Sequence, residues 1–178
     1  NNLYQAIQIA ESSSPVQNNA AAQCKIMLAQ FMYEATVLYG DVPFSQAFQP
    51  DKYPYPKYDA QKDVFEGVLK LLNEAKAQID PNSPLKIADY DIFYGGDMSK
   101  WILLANSIKL RVLMTMVDAD PTKATEIGNL VTHRADSLIN TADDSWITKY
   151  SGNTNNENPK YRLFLGEDPA TFASKVIT

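Results

Sequence analysis

The chain has 178 residues, 45% hydrophobic and 21% charged, a balance that suits one globular unit with a buried core. A net charge of −5 leaves no basic patch for phosphates and excludes a nucleic-acid partner, while one cysteine and one histidine exclude an internal disulfide and a structural zinc site. No apolar run approaches the roughly 20 residues that cross a bilayer. The chain opens at Asn1 with no leader pattern, and is expected to be a piece of a longer protein whose targeting segment lies upstream.

In chain order the pattern is helical throughout. A short helix is expected from Leu3 to about Glu11, stopped before Pro15 in "SSSP". A second runs from about Ala20 to Tyr39 and ends at Gly40, the residue type favoured just past a helix terminus. A third follows Asp59, expected as its N-cap, and continues to about Ile79 before "DPNSP". The fourth lies in "YGGDMSKWILLANSIKLRVLM", capped by Asp97 or Ser99. A fifth is expected from Asp120-Pro121 to about Ile139, and a weak sixth in "DPATFASKVI". Strand signals are nearly absent, so the fold class is all-α.

At 100° per residue the fourth helix carries two apolar stripes. Trp101, Ala105, Ile108 and Val112 form one; Leu103, Leu110, Met114 and Val117 form the other, with Asn106 among them and Lys109 and Arg111 on the edges between. The second helix is similar, with Cys24, Leu28, Phe31, Ala35 and Leu38 opposite Ile26, Tyr33 and Val37. The third has a single stripe: Val64, Val68, Leu71, Leu72, Ala75 and Ile79. Inner and outer helices therefore alternate, with starts roughly 40 residues apart, as in tetratricopeptide-like stacked helical pairs. Asn106 must find partners inside such a stack and is expected to tie down the backbone of a neighbouring long loop.

Three connections are long for a helical bundle: Gly40 to Tyr58 with its four prolines, Pro81 to Gly96, and Asn140 to Pro169. The first and second are bounded by specific motifs. "LYGDVPFSQAFQP" carries Gly40, Asp41, Pro43, Phe44 and Ala47, and "PKYDAQ" carries Pro56, Tyr58, Asp59 and Gln61. The third motif comprises Gly95, Gly96, Asp97, Lys100, Trp101, Ala105, Asn106, Ser107, Leu110 and Arg111. In this order they resemble the SusD/RagB family of surface nutrient-binding lipoproteins of Bacteroidetes, over residues 40–111, with "NPKY" at Asn158–Tyr161 as a weaker extension. Phe44 stands where tyrosine is commoner in that pattern, and Thr115 where a second arginine often follows.

The resemblance implies a tetratricopeptide-like helical scaffold with long inserted loops, of which residues 1–178 form one segment. It implies no catalytic activity and no cofactor. It implies binding of an oligosaccharide, or in some members a peptide, at the outer membrane of the cell surface, by a lipid-anchored protein paired with a SusC-like TonB-dependent transporter. The anchoring cysteine is not Cys24, which falls on an apolar helix face. The competing function is a tetratricopeptide-like adaptor for protein partners, which calls for short turns and an open groove.

Rings that could stack on a sugar are Tyr53 and Tyr55 of "YPYPKY" and Trp146 of "DDSWITKY". The bland alternative for these tyrosines is that they staple the loop to the helices, and Tyr58 is expected to do so. The signature residues Gly40, Asp41, Pro43, Tyr58, Asp59, Gly95, Gly96, Asp97, Trp101, Asn106 and Arg111 are assigned to the scaffold. Cys24 and His133 lie in no nucleophile–base motif. Asp118/Asp120 and Asp143/Asp144 lack the twelve-residue loop and closing glutamate of a calcium site, so no metal is assigned.

Overall fold

The computed structural model describes residues 2–133, 137–151 and 158. Its helices are α1 (Asn2–Ser12), α2 (Asn18–Tyr39), α3 (Gln61–Gln78), α4 (Met98–Met116) and α5 (Ala124–Thr132), with single 3₁₀ turns at Pro121–Lys123 and Ala142–Asp144. Among the described residues the strand-like pairing is one antiparallel bridge between Val42 and Asp59. Asn1–Trp146 is one compact unit and Ile147–Thr178 a second. The expected sixth helix and the rest of "NPKY" after Asn158 lie outside the described residues.

The all-α stack is as the periodicity requires. α2 packs on α1, α3 and α4, and α4 packs on α2, α3 and α5, so these two are the inner helices. Their shared core is built from Ile26, Ala29, Val68, Leu72, Ile108 and Val112, each nearly or wholly inaccessible. α3 buries Val64, Phe65, Val68, Leu69, Leu72 and Ala75 and turns its charges outward, as a surface helix. α5 stops at Thr132, short of Ile139, in a stretch where Gly128, Asn129, Val131 and Thr132 are all modest helix formers.

Two face assignments are corrected. On α2 the stripe is buried at Cys24 and Leu28, but Phe31 and Leu38 are exposed, as are Val37 and Tyr39. On α4 the stripe of Trp101, Ala105, Ile108 and Val112 is buried, whereas Leu103 and Leu110 are half-buried and Met114 is exposed. Lys109 is not an edge residue. Its ammonium donates to Asn73 Oδ1 at 2.8 Å and pairs with Glu126 Oε1 at 2.5 Å, so it ties α4 to both α3 and α5. A buried lysine persists because both partners are supplied. Arg111 is exposed.

Amides on the inner helices hold the connections. Asn19 pairs twice with Asp80, donating to its carbonyl at 2.7 Å and accepting from its N–H at 2.8 Å. One turn later Gln23 does the same with Ile87, both bonds at 2.8 Å. Each amide behaves as a short piece of strand, so the backbone of the α3–α4 connection is satisfied from α2. Asn106 donates to the Ser137 carbonyl at 2.9 Å and accepts from Lys76 Nζ at 3.3 Å, while Ser107 Oγ accepts from Ile139 N at 3.0 Å. The partner is backbone, as expected, but Ser137 is helical rather than part of a long loop, and Lys76 is an additional partner.

The first two motifs close into a single clasp. Gly40 has φ 75°, and its N–H reaches the Thr36 carbonyl at 2.9 Å, turning the chain out of α2. Val42 and Asp59 then exchange backbone bonds of 3.3 and 3.0 Å. Asp59 is not the cap of α3, as the sequence suggested. Its carboxylate accepts from Phe44 N (3.0 Å), Ser45 N (2.7 Å) and Ser45 Oγ (2.8 Å), with Lys57 Nζ at 3.3 Å. The first N–H of α3, on Gln61, is taken instead by Asp41 Oδ1 at 2.9 Å, from the far end of the loop. Gln61 Nε2 returns a bond to the Thr36 carbonyl at 2.6 Å. Phe44 then lies over Gly67 of α3, where an added methyl would collide with its ring.

Three outcomes follow from this packing. Burial alone would raise the Asp59 carboxyl, but the Ser45 and Phe44 donors with Lys57 outweigh it and lower the pKa from 3.8 to about 2. The stability this contributes is complete above the unfolded value and is lost as pH falls from about 4 to about 2. Asp59→Asn should therefore destabilise at neutral pH, and the gap to the parent in urea midpoint should shrink across that window. Gly67→Ala should cost about 1–3 kcal/mol by overpacking, yet in a Phe44→Ala background the same change should stabilise by about 0.5–1 kcal/mol through helix propensity. Asn106→Leu should cost about 1–3 kcal/mol in chemical denaturation, because Ser137 and Lys76 lose their partner.

Candidate ligand-binding surface

The α3–α4 connection is organised by one carboxylate that the sequence did not single out. Asp91 Oδ1 accepts from Phe93 N (3.0 Å) and Tyr94 N (3.1 Å). Its Oδ2 accepts from Gly96 N (2.9 Å), Trp101 Nε1 (2.7 Å) and Gln23 Nε2 (3.3 Å). Gly95 and Gly96 have φ 60° and 81°, and a Cβ on Gly96 would lie 3.0 Å from that of Ala88, so the tight turn needs glycine there. Asp97 caps α4, accepting from Ser99 N at 3.0 Å and Lys100 N at 3.4 Å. The available signal was the aspartate four residues ahead of the glycine pair, a position suited to an Asx-type turn.

Trp101 is 3% exposed, a core residue as expected. Phe93 and Tyr94 meet it edge-on, with ring centroids 6.4 and 5.6 Å away. Trp146 joins the same cluster by packing on Phe93 at 5.1 Å. The Tyr94 hydroxyl donates to the Asp144 carbonyl at 2.9 Å, and Lys100 Nζ to that of Asp143 at 2.7 Å, which fixes the turn preceding Trp146. Burial, then the charges of Asp144 and Asp91, raise the Tyr94 pKa, so the phenol stays a neutral donor. Trp146 is half-buried, and its indole nitrogen is buried without an acceptor among the described residues.

The tyrosines of the first loop are presented differently. Tyr53 is half-buried, with Lys52 Nζ 5.1 Å from its ring centroid. Tyr55 is 93% exposed. Tyr58 is 71% exposed, so it does not staple the loop; the Asp59 clasp and Phe44 do that instead. Trp146 stands in the Asp91 cluster and Tyr53 and Tyr55 in the clasped loop, and no ring contact joins the two groups among the described residues.

No nucleophile is assembled around Cys24. It lines a cavity of about 130 Å³ with Gln23, Asp91 and Trp101, and burial raises its thiol pKa, which keeps it protonated. His133 is exposed, with Nδ1 3.0 Å from the Asn129 carbonyl at the end of α5. Asp120 caps the turn at Thr122, and Asp144 accepts from the Thr141 hydroxyl at 2.6 Å. Among the described residues, no three histidine, cysteine or acidic side chains are grouped to hold a metal ion.

A family model described as starch-binding and associating with the outer membrane matches residues 1–177. A SusD homolog from Bacteroides fragilis is 30% identical over 97% of the chain, with a TM-score of 0.72. A SusD homolog from Bacteroides uniformis is also 30% identical, over 90% of the chain, with a TM-score of 0.76. A chitin-binding SusD homolog from Flavobacterium johnsoniae shares the fold at 22% identity and a TM-score of 0.67, over 81% of the chain and 30% of its own length. The chain spans 36% and 32% of the two Bacteroides structures, about a third of each. No curated protein matches the chain. The helical stack, the motif clasp, the family match and the structural likeness agree: the chain belongs to the SusD/RagB family of outer-membrane-associated, starch-binding-type proteins.

Proposed function

We propose that this chain is part of a protein that binds oligosaccharides at the bacterial surface without altering them and passes them to a SusC-like TonB-dependent transporter. A lipid anchor in the longer protein would hold it there. The observation that carries this proposal is a clasped loop with exposed rings: Tyr55 and Tyr58 stand in solvent on a segment held at both ends by Asp41 and Asp59. Flat apolar faces in water, on a loop whose two ends are fixed, suit stacking on the C–H faces of sugars. Tyr53 flanks the same surface, and Trp146 is the second candidate. An adaptor for protein partners is less well supported, because the connections are long and bonded to the helices rather than short and open.

A lid that must release its cargo needs weak binding, in the micromolar to millimolar range, or about 4–8 kcal/mol. Glycan-array and calorimetric titration of the full-length gene product should show such binding, with every oligosaccharide recovered intact. Tyr55→Ala should weaken it about 3- to 10-fold, the worth of one stacked ring, with no change in unfolding midpoint. Trp146→Ala should weaken it more than Trp101→Phe, whose effect should be on stability through the lost Asp91 bond. Cleaved sugar would refute the proposal, and equal loss of binding from both tryptophan changes in folded protein would reverse the assignment of scaffold and site.

A further inference from the structure

A second cavity, of about 280 Å³, opens where α1, α2, α3 and the clasped loop meet, and neither Tyr55 nor Tyr58 lines it. Its apolar side carries the rings of Tyr4, Phe44 and Phe48. Tyr4 and Phe48 stand 6.1 Å apart, their planes inclined by 32°. Phe48 has φ 64°, a left-handed conformation that a bulky side chain rarely adopts. The clasp and the bonds of Lys52 and Tyr53 N–H to the Gln49 carbonyl, 3.1 and 2.8 Å, hold the chain on either side of it. The backbone is thus kept in a costly shape that turns a ring toward Tyr4.

The opposite side is polar and already ordered. Lys25 is 7% exposed and bonds Glu11 Oε1 at 2.7 Å and Glu74 Oε2 at 3.5 Å. Gln78 Nε2 donates to the same Glu11 oxygen at 3.0 Å, which leaves Oε2 as an acceptor. Burial would raise the Glu11 pKa, but Lys25 and Gln78 outweigh it and keep the carboxylate charged. Lys70 Nζ lies 3.9 Å from Glu74 Oε1, so the two carboxylates are balanced by two ammonium groups, and both of these are already paired.

We propose that this cleft is a subsite for one neutral hexopyranose unit of a glycan. The rings of Tyr4 and Phe48 would take the apolar C–H face, and Glu11 and Glu74 would accept from ring hydroxyls. The volume lies near the lower end of small-molecule pockets, about 300 Å³, which fits a single sugar ring and not a chain. With both ammonium groups already paired, the wall offers no free cation to a uronic or sulfated sugar, whose charge would meet the Glu11 and Glu74 carboxylates. The subsite rests on the glycan-binding proposal above.

The test uses the full-length gene product with labelled isoleucine and leucine methyls, because Ile7, Leu28 and Leu71 line the cleft. Maltohexaose and chitohexaose are the neutral probes and trigalacturonate the anionic one. The expected result is a saturable shift of these methyls with a neutral probe and none with trigalacturonate. Tyr4→Ala should weaken that binding at least 5-fold. Phe48→Gly, which suits the left-handed backbone, should do the same while the methyl spectrum stays dispersed. Binding by the parent with the three methyls unmoved and Tyr4→Ala unaffected would overturn the subsite and leave the glycan-binding function standing. An equal shift with trigalacturonate would overturn the neutral-sugar assignment. No binding of either neutral probe would overturn the subsite, while the glycan-binding function would fall only if the glycan array were blank as well.

Discussion

A long connection laid across a helical stack must satisfy its own backbone, because it has no ladder of neighbours to do so. In this chain that constraint is met by single carboxylates and amides placed at chosen points. Asp59 gathers the N–H groups that open the first loop, and Asp91 gathers those before α4. Asn19, Gln23 and Asn106 do the same from helices. Without these groups the connections would either unravel into solvent or leave polar atoms buried without partners, at about 1–3 kcal/mol each. The loop that presents Tyr55 depends on Asp59.

The scaffold was legible because it repeats a physical period. Apolar spacing located α1 to α4 and separated inner helices from outer ones, and Gly40 and Asp97 marked ends by well-understood local chemistry. What periodicity could not disclose was partnership across the chain. Asp59 stands directly before a helix and has the chemistry of a cap, yet its donors lie fourteen and fifteen residues upstream. Lys109 looks like an edge charge until Asn73 and Glu126 are brought to it. Asp91 sits in a stretch rich in aspartate, and only the fold shows which one is surrounded by donors.

The ligand surface was less legible still, for a related reason. An aromatic residue in a loop has the same sequence signature whether its ring is buried or bare. Trp146 and Tyr55 illustrate this: one is packed against Phe93, the other is almost fully exposed. The Tyr4–Phe48 cleft joins residues from α1 and from a loop more than forty positions away, and left no mark in the sequence beyond the rings themselves.

The clasp has an evolutionary consequence. Its bonds involve residues 36–45 and 57–61, and α3 is capped from Asp41, so the bases of the loop are fixed independently of its middle. The entropy of closing a loop grows only logarithmically with length, so extra residues between about 50 and 56 would add little cost to folding. Diversification of the exposed middle of the loop is thereby uncoupled from the integrity of the helices. That stretch can be rewritten, by insertion or by exchange of rings, while the same support is inherited unchanged.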